Sequence, residues 1–200
     1  MAFLEPVTLT GSLVTLEPLT TGHHDELVTA ASDGRLWELW YTSVPAPEAM
    51  AADVADRLAR RDAGEMLPFV VRRRFDGVVV GATTYCNVDA RTPRVEIGYT
   101  WTARSAQRTG VNADSKLLLL AHAFEVLGCV AVEFRTHWHN QQSRGAIARL
   151  GAKQDGVLRS HRRMPDGSLR DTVVFSILQA EWPAVRAGLE HRLRSPADDR

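Results

Sequence analysis

Gln107-Arg108-Thr109-Gly110-Val111-Asn112 lies between a strand-like run, RVEIGYTW (94–101), and an apolar run, ADSKLLLLAHAFEVLG (113–128). A strand, a short turn with one glycine and then a helix make a geometry that attracts anions. The first N–H groups of a helix lack an intrahelical acceptor, and the helix dipole adds partial positive charge there. Gly110 lets the backbone approach a phosphate, Asn112 is a good N-cap, and Arg108 adds a charge-assisted contact. An ordinary strand-to-helix turn has the same outline, so these six residues alone leave both readings open.

The chain around this turn reads as a single series of elements. VTLTGSLVTLE (7–17) alternates and is rich in Val, Leu and Thr, which predicts a first strand or hairpin. Helices are expected over 21–32 and 47–61, the second with apolar residues at Met50, Val54 and Leu58, spaced by four. LPFVVRRR (67–74), the turn Asp76-Gly77 and VVVGATTYCNV (78–88) form a hairpin pattern, and RVEIGYTW extends it to a meander. After the helix 113–127 come a strand (130–138), a helix (141–151), a strand (157–163), the turn Pro165-Asp166-Gly167, a strand (169–178) and a terminal helix (181–193). The order β-α-α-β-β-β-α-β-α-β-β-α predicts an α/β or α+β layer protein, a mixed sheet with helices on both faces. A doubly wound dinucleotide fold needs its glycine turn after the first strand, and here the turn comes much later.

The 200 residues suffice for one well-buried domain, with a core over about 8–183 and a polar end, SPADDR (195–200), expected to fray. A hydrophobic fraction of 44% and a charged fraction of 24% are those of a soluble globular protein. The formal net charge of zero argues against a nucleic-acid binder that works by neutralising phosphates. Of the 24 basic residues, all but Lys116 and Lys153 are arginine. Cys86 and Cys129 are too few for a disulfide framework or a cysteine zinc site. No signal peptide or membrane span is legible, and a cytoplasmic location is the simplest expectation.

Five strings in order resemble the GNAT superfamily of acyl-CoA-dependent N-acetyltransferases, and within it the RimJ/RimL-like branch. They are LTGSLVTLEPL, EIGYTW, RTGVNADSKLLLLAHAFEVLG, NQQSRGAIARLGA and GVLRSHRRMPDGSLRDTVVFSILQAEWP, and the resemblance spans roughly residues 8–183. It implies a mostly antiparallel central sheet of about seven strands flanked by helices. It also implies acetyl-CoA as co-substrate and an amine acceptor, either a protein N-terminal α-amine or a small amine or amino-acid derivative. The family's loop pattern, Gln/Arg-x-x-Gly-x-Gly/Ala, is met at Gln107 and Gly110 and departs at Asn112. On this resemblance Gln107, Arg108, Thr109, Gly110, Val111 and Asn112 hold the pyrophosphate. Strands 94–101 and 130–138 are then expected to splay near Tyr99–Thr102 and Arg135–His137. The pantetheine arm would bond the backbone around Trp101 and Thr102 in that gap. Dimers are frequent in the branch, and a homodimer is an open expectation.

Amide formation from a thioester needs a neutral amine, a polarised carbonyl and a proton for the departing thiolate, and it needs no metal. Glu96 is the candidate general base; the plain alternative is a half-exposed strand glutamate paired with an arginine. Its neighbours Val95, Ile97 and Tyr99 are expected on the opposite face. Asn140 and Ser143 match the family's Asn-x-x-Ser element, which implies an Asn140 contact to the pantetheine arm and a Ser143 hydroxyl near the thioester sulfur. Helix capping by Asn140 is compatible with that role. Arg144 is a candidate phosphate contact or an exposed helix arginine. Trp37, Trp40 and Tyr41 lie where the family places its acceptor-binding segment. His137 and His139 are alternative proton carriers, with no carboxylate companion that would make them a metal site. Two other classes stay open: a non-catalytic acyl-CoA-binding module, and an ATP-binding protein, which the missing Walker lysine disfavours.

Overall fold

The computed structural model describes residues 3–164 and 166–194, so the polar end 195–200 and Pro165 of the predicted turn lie outside the described residues. One sheet of eight strands forms in the order β1-β2-β3-β4-β5-β6-β8-β7. Its strands are β1 (Leu9–Thr10), β2 (Val14–Pro18), β3 (Leu67–Arg73), β4 (Val79–Asp89), β5 (Arg94–Thr102), β6 (Ala131–His137), β7 (Lys153–Arg163) and β8 (Leu169–Leu178). The eighth strand, against the seven expected, arises because the opening segment turns back at Gly11, whose N–H bonds the Val14 carbonyl at 2.9 Å. All pairings are antiparallel except β5 with β6.

Helices α1 (His24–Ser32) and α2 (Met50–Asp62) cover one face, and α3 (Val111–Ala121) and α5 (Trp182–Arg194) the other. Adjacent β4 residues show the division, since successive strand side chains point oppositely. Thr84 receives a hydrogen bond from Arg57 of α2 (3.3 Å), whereas the Tyr85 hydroxyl donates to the Leu119 carbonyl of α3 (2.5 Å). Beyond Leu119 the helix widens into a π turn over His122–Val126, where the Leu127 N–H reaches back to the His122 carbonyl. A carbonyl already engaged by Tyr85 is a physical reason for that widening. α4 (Gln141–Ala148) ends three residues short of the predicted helix and packs near β6.

Two irregularities shape the middle of the sheet. The β4–β5 register shifts between Ala82↔Trp101 and Thr84↔Gly98, so Thr83 faces two residues, Tyr99 and Thr100. This is a β-bulge, and Tyr99 takes φ 49° there. The bulge reverses the side-chain alternation, so the expectation for Tyr99 is corrected. Its ring lies 4.7 Å from the Arg57 guanidinium of α2, on the same face as Glu96, and Thr100 turns toward α3 instead. Secondly, β5 and β6 pair only at Arg94↔Ala131, Val95↔Val132 and Glu96↔Glu133. Beyond these three pairs both strands continue without pairing to each other, β5 to Thr102 and β6 to His137.

Candidate active site

The gap between β5 and β6 opens at Glu96. A strand edge that has lost its neighbour offers alternating N–H and C=O groups, which suit a ligand carrying amides. Trp101 and Thr102 lie on this unpaired part of β5, and the chain then runs through a short turn to α3. Gly110 adopts φ 93° at the N-cap of α3, and Arg108 also adopts a left-handed conformation, φ 62°. The helix therefore starts at Val111, which places Asn112 inside its first turn. Its assignment as N-cap is corrected: the residue with non-helical backbone is Gly110. The first intrahelical bond runs from the Asp114 N–H to the Gly110 carbonyl, 2.9 Å, which leaves the N–H groups of residues 111–113 without an acceptor in the helix. Thr109 ties the turn by donating to the Ala106 carbonyl (2.6 Å). Gln107 donates to the Thr102 carbonyl (3.0 Å) and accepts from Gln142 of α4 (3.2 Å), so one side chain joins β5, the turn and α4.

Glu96 is buried, 8% exposed, rather than half-exposed. Asn87, itself at φ 46°, donates to its carboxylate at 2.5 Å, and Arg135 of β6 stands 3.4 Å away. Burial raises its pKa above the ordinary carboxylate value, against the opposing pull of Arg135 and Asn87. Gly98 gives it room, because a Cβ there would lie 2.8 Å from Glu96 Oε1. Arg135 also bonds Glu133 (3.0 Å), which pairs with Arg94 as well. The result is a basic carboxylate, held on two sides, at the mouth of the gap.

Residues 14–153 match the acetyltransferase (GNAT) domain family. The chain belongs to the GNAT acetyltransferases. A T. thermophilus protein described as an acetyltransferase is 33% identical, with a TM-score of 0.82 over 95% of this chain and 98% of that one. The fold is also that of RimJ from Mycobacterium smegmatis, solved in complex with CoA-disulfide (24% identity, TM-score 0.79, 94% and 96% covered). It is likewise that of the Salmonella typhimurium acetyl transferase that modifies the N-terminal serine of ribosomal protein L7/L12 (14%, 0.76, 86% and 99%). No curated protein matches the chain.

The GNAT chain brings the other predicted residues to the same end of the sheet. Asn140 caps α4 by accepting from the Ser143 N–H (3.0 Å), which sets Ser143 half-buried in the first turn. Arg144 folds back: its guanidinium stacks on Trp138 at 4.3 Å and bonds the Trp138 carbonyl at 3.2 Å. Trp40 sets its edge against His137 (5.1 Å) and also touches Tyr41 and His139. Trp37 and Trp40 line an open pocket that Met164 and Asp166 close from the β7–β8 side. His137 is buried, accepts from the His139 N–H (3.1 Å), and has its pKa lowered by burial and by Arg170. Among the described residues no group of three His, Cys, Asp or Glu is placed to hold a metal ion, and no helix is long and apolar enough to cross a membrane.

Sequence reading missed Asn87, Arg135 and the Tyr99 bulge. The alternation Glu133-Arg135-His137 carried a signal, because it puts three ionisable side chains on one face of a strand beside Glu96. Lys116 was legible too, as a lysine inside an apolar helix. It is buried and donates to Thr100 (2.9 Å) and Thr83 (3.3 Å), directly beneath the bulge.

Proposed function

We propose that this GNAT protein is an acetyl-CoA-dependent N-acetyltransferase that acts on a primary amine by direct attack, with both substrates bound together. The observation that carries the reading is Glu96, a buried carboxylate of raised basicity at the point where β5 and β6 part. In this reading Glu96 takes the proton of the incoming amine, directly or through a water. Backbone N–H groups on the free edge of β5 polarise the carbonyl, and the Ser143 hydroxyl donates to the departing thiolate. The turn 107–112 holds the pyrophosphate on the open N–H groups of α3, with Arg108 and Arg144 as the nearby cations. Trp37, Trp40 and Tyr41 shape the acceptor pocket. The fold likeness to RimJ and to the Salmonella enzyme favours a protein N-terminal α-amine, with small amines as the second class. Both cysteines are buried and free, which suits a reducing cytoplasm.

Calorimetric titration with acetyl-CoA tests the cofactor, alongside Gly110→Trp, which puts a bulky side chain at a left-handed N-cap. Binding by the wild type that the variant loses supports the turn as the phosphate cradle and justifies an amine screen by thiol release. Tight binding with no turnover on any amine leaves a non-catalytic acyl-CoA module. Absence of wild-type binding sinks the reading.

A further inference from the structure

The face of the sheet that carries Glu96 holds more positive charge than the described residues balance. Glu96 is level with Glu133, and Arg135 and His137 follow on the same side of β6. His137 is opposite Thr172, Arg170 lies two residues before Thr172, and Arg162 of β7 is opposite Arg170. The two carboxylates are already used, Glu133 by Arg94 and Arg135, and Glu96 by Arg135 and Asn87. Among the described residues no carboxylate lies within ion-pair distance of Arg162 or Arg170. The neighbouring Asp171 is taken by Arg159 (2.5 Å) and the Ser160 N–H (2.7 Å).

Arg170 is the unusual member of the pair. Its Nε is buried with no hydrogen-bond partner, and burial followed by the charge of Arg162 lowers its pKa. A guanidinium donor shielded from water and left unmade is costly, unless a ligand supplies the acceptor. Arg162 and Arg170 lie across the gap from Glu96, close enough that the charge of Arg162 favours the ionised Glu96 carboxylate and that of Glu96 favours the charged form of Arg170. The pyrophosphate turn belongs to the opposite side of the sheet, with α3. The pair therefore faces the acceptor rather than the nucleotide end of CoA.

We propose that Arg162 and Arg170 bind a carboxylate of the acceptor, so that the enzyme acetylates amines carrying a carboxylate close to the amine. The source is the α-carboxylate of an amino acid or the acidic side chain of a peptide N-terminal segment. Planar guanidinium groups suit this partner, because they accept a carboxylate in bidentate fashion. The proposal rests on the acetyltransferase reading of the Glu96 site.

The test is thiol release with matched acceptors: serine against serinamide, and seryl-aspartate amide against seryl-asparagine amide. The expected result is a kcat/KM that favours the carboxylate member of one pair by roughly ten- to hundred-fold. The pair that discriminates identifies the source. Arg170→Gln and Arg162→Gln bring the carboxylate member down to its neutral partner, and Arg170→Lys recovers part of the difference. Equal rates within both pairs, a preference for phosphoethanolamine, or loss of acetyl-CoA affinity in Arg170→Gln overturns the proposal. If no amine is turned over, the same peptides are titrated calorimetrically into the CoA-saturated protein. Carboxylate discrimination that Arg170→Gln abolishes then keeps the anion site while the acetyltransferase reading fails, and no discrimination overturns the site as well.

Discussion

Glu96 and Lys116 are two buried ionisable groups on opposite faces of β5, and burial moves their pKa values in opposite directions. Burial raises the Glu96 pKa, so activity should fall as the pH drops through a value above the ordinary carboxylate range. Glu96→Gln is expected to lower kcat by about 10²- to 10³-fold and to remove that acidic limb. A pH–rate profile of both proteins checks it, and an unchanged kcat would assign the proton to a water or to His137. Burial alone lowers the Lys116 pKa to about 7, whereas the unfolded chain keeps the ordinary value of 10.5. Between these values the unfolded state binds more protons than the folded one, so this residue's contribution to stability rises with pH there. Below pH 7 the full cost of a buried ammonium is present. Lys116→Met is therefore expected to stabilise the protein most at pH 6. Its advantage should shrink by at most about 1.4 kcal/mol per pH unit toward pH 10, followed by thermal unfolding.

At the scale of elements, α3 is held at three points along its length. Gly110 sets its start, Lys116 bonds the bulge, and Tyr85 grips the Leu119 carbonyl before the π turn. A fourth tie is Asp114, whose carboxylate accepts from the Leu13 N–H (2.7 Å), the Val14 N–H (2.9 Å) and the Ser12 N–H (3.4 Å). Asp114→Ala strands these donors and is expected to cost about 3 kcal/mol or more, read from urea denaturation. The order of elements and the turn 107–112 were legible because hydrophobic period and glycine placement are local signals. The bulge was not, since the flip of Tyr99 depends on the β4 partner and leaves no mark in RVEIGYTW itself. Partners of Glu96 were hidden for the same reason. Asn87 and Arg135 reach it from two other strands, and register is a long-range property. The start of α3 was misplaced by two residues, because Gly110 and Asn112 are both acceptable N-caps and only the backbone dihedrals decide.

The whole molecule is two blocks of sheet, β1–β5 and β6–β8, joined edge to edge by the three pairs of β5 with β6. A ligand lying in the gap bridges both blocks and binds only the folded state. Acetyl-CoA at about 100 times its Kd should add about 2.7 kcal/mol of stability, seen as a rise in Tm. Amide hydrogen exchange should slow on residues 97–102 and on the end of β6 together. Slowing confined to the turn 107–112 would show that the arm of the ligand does not enter the gap.

Gly11 touches none of this directly. Yet a Cβ at this position would fall 2.5 Å from Asp114 Oδ2 and 2.7 Å from Oδ1, the carboxylate that fixes the first turn of α3, where the proposed phosphate cradle begins. In a screen of random variants, a valine at this remote hairpin would be scored as a loss of cofactor affinity. Its phenotype would sort with substitutions in the turn 107–112, although the changed residue never meets the cofactor.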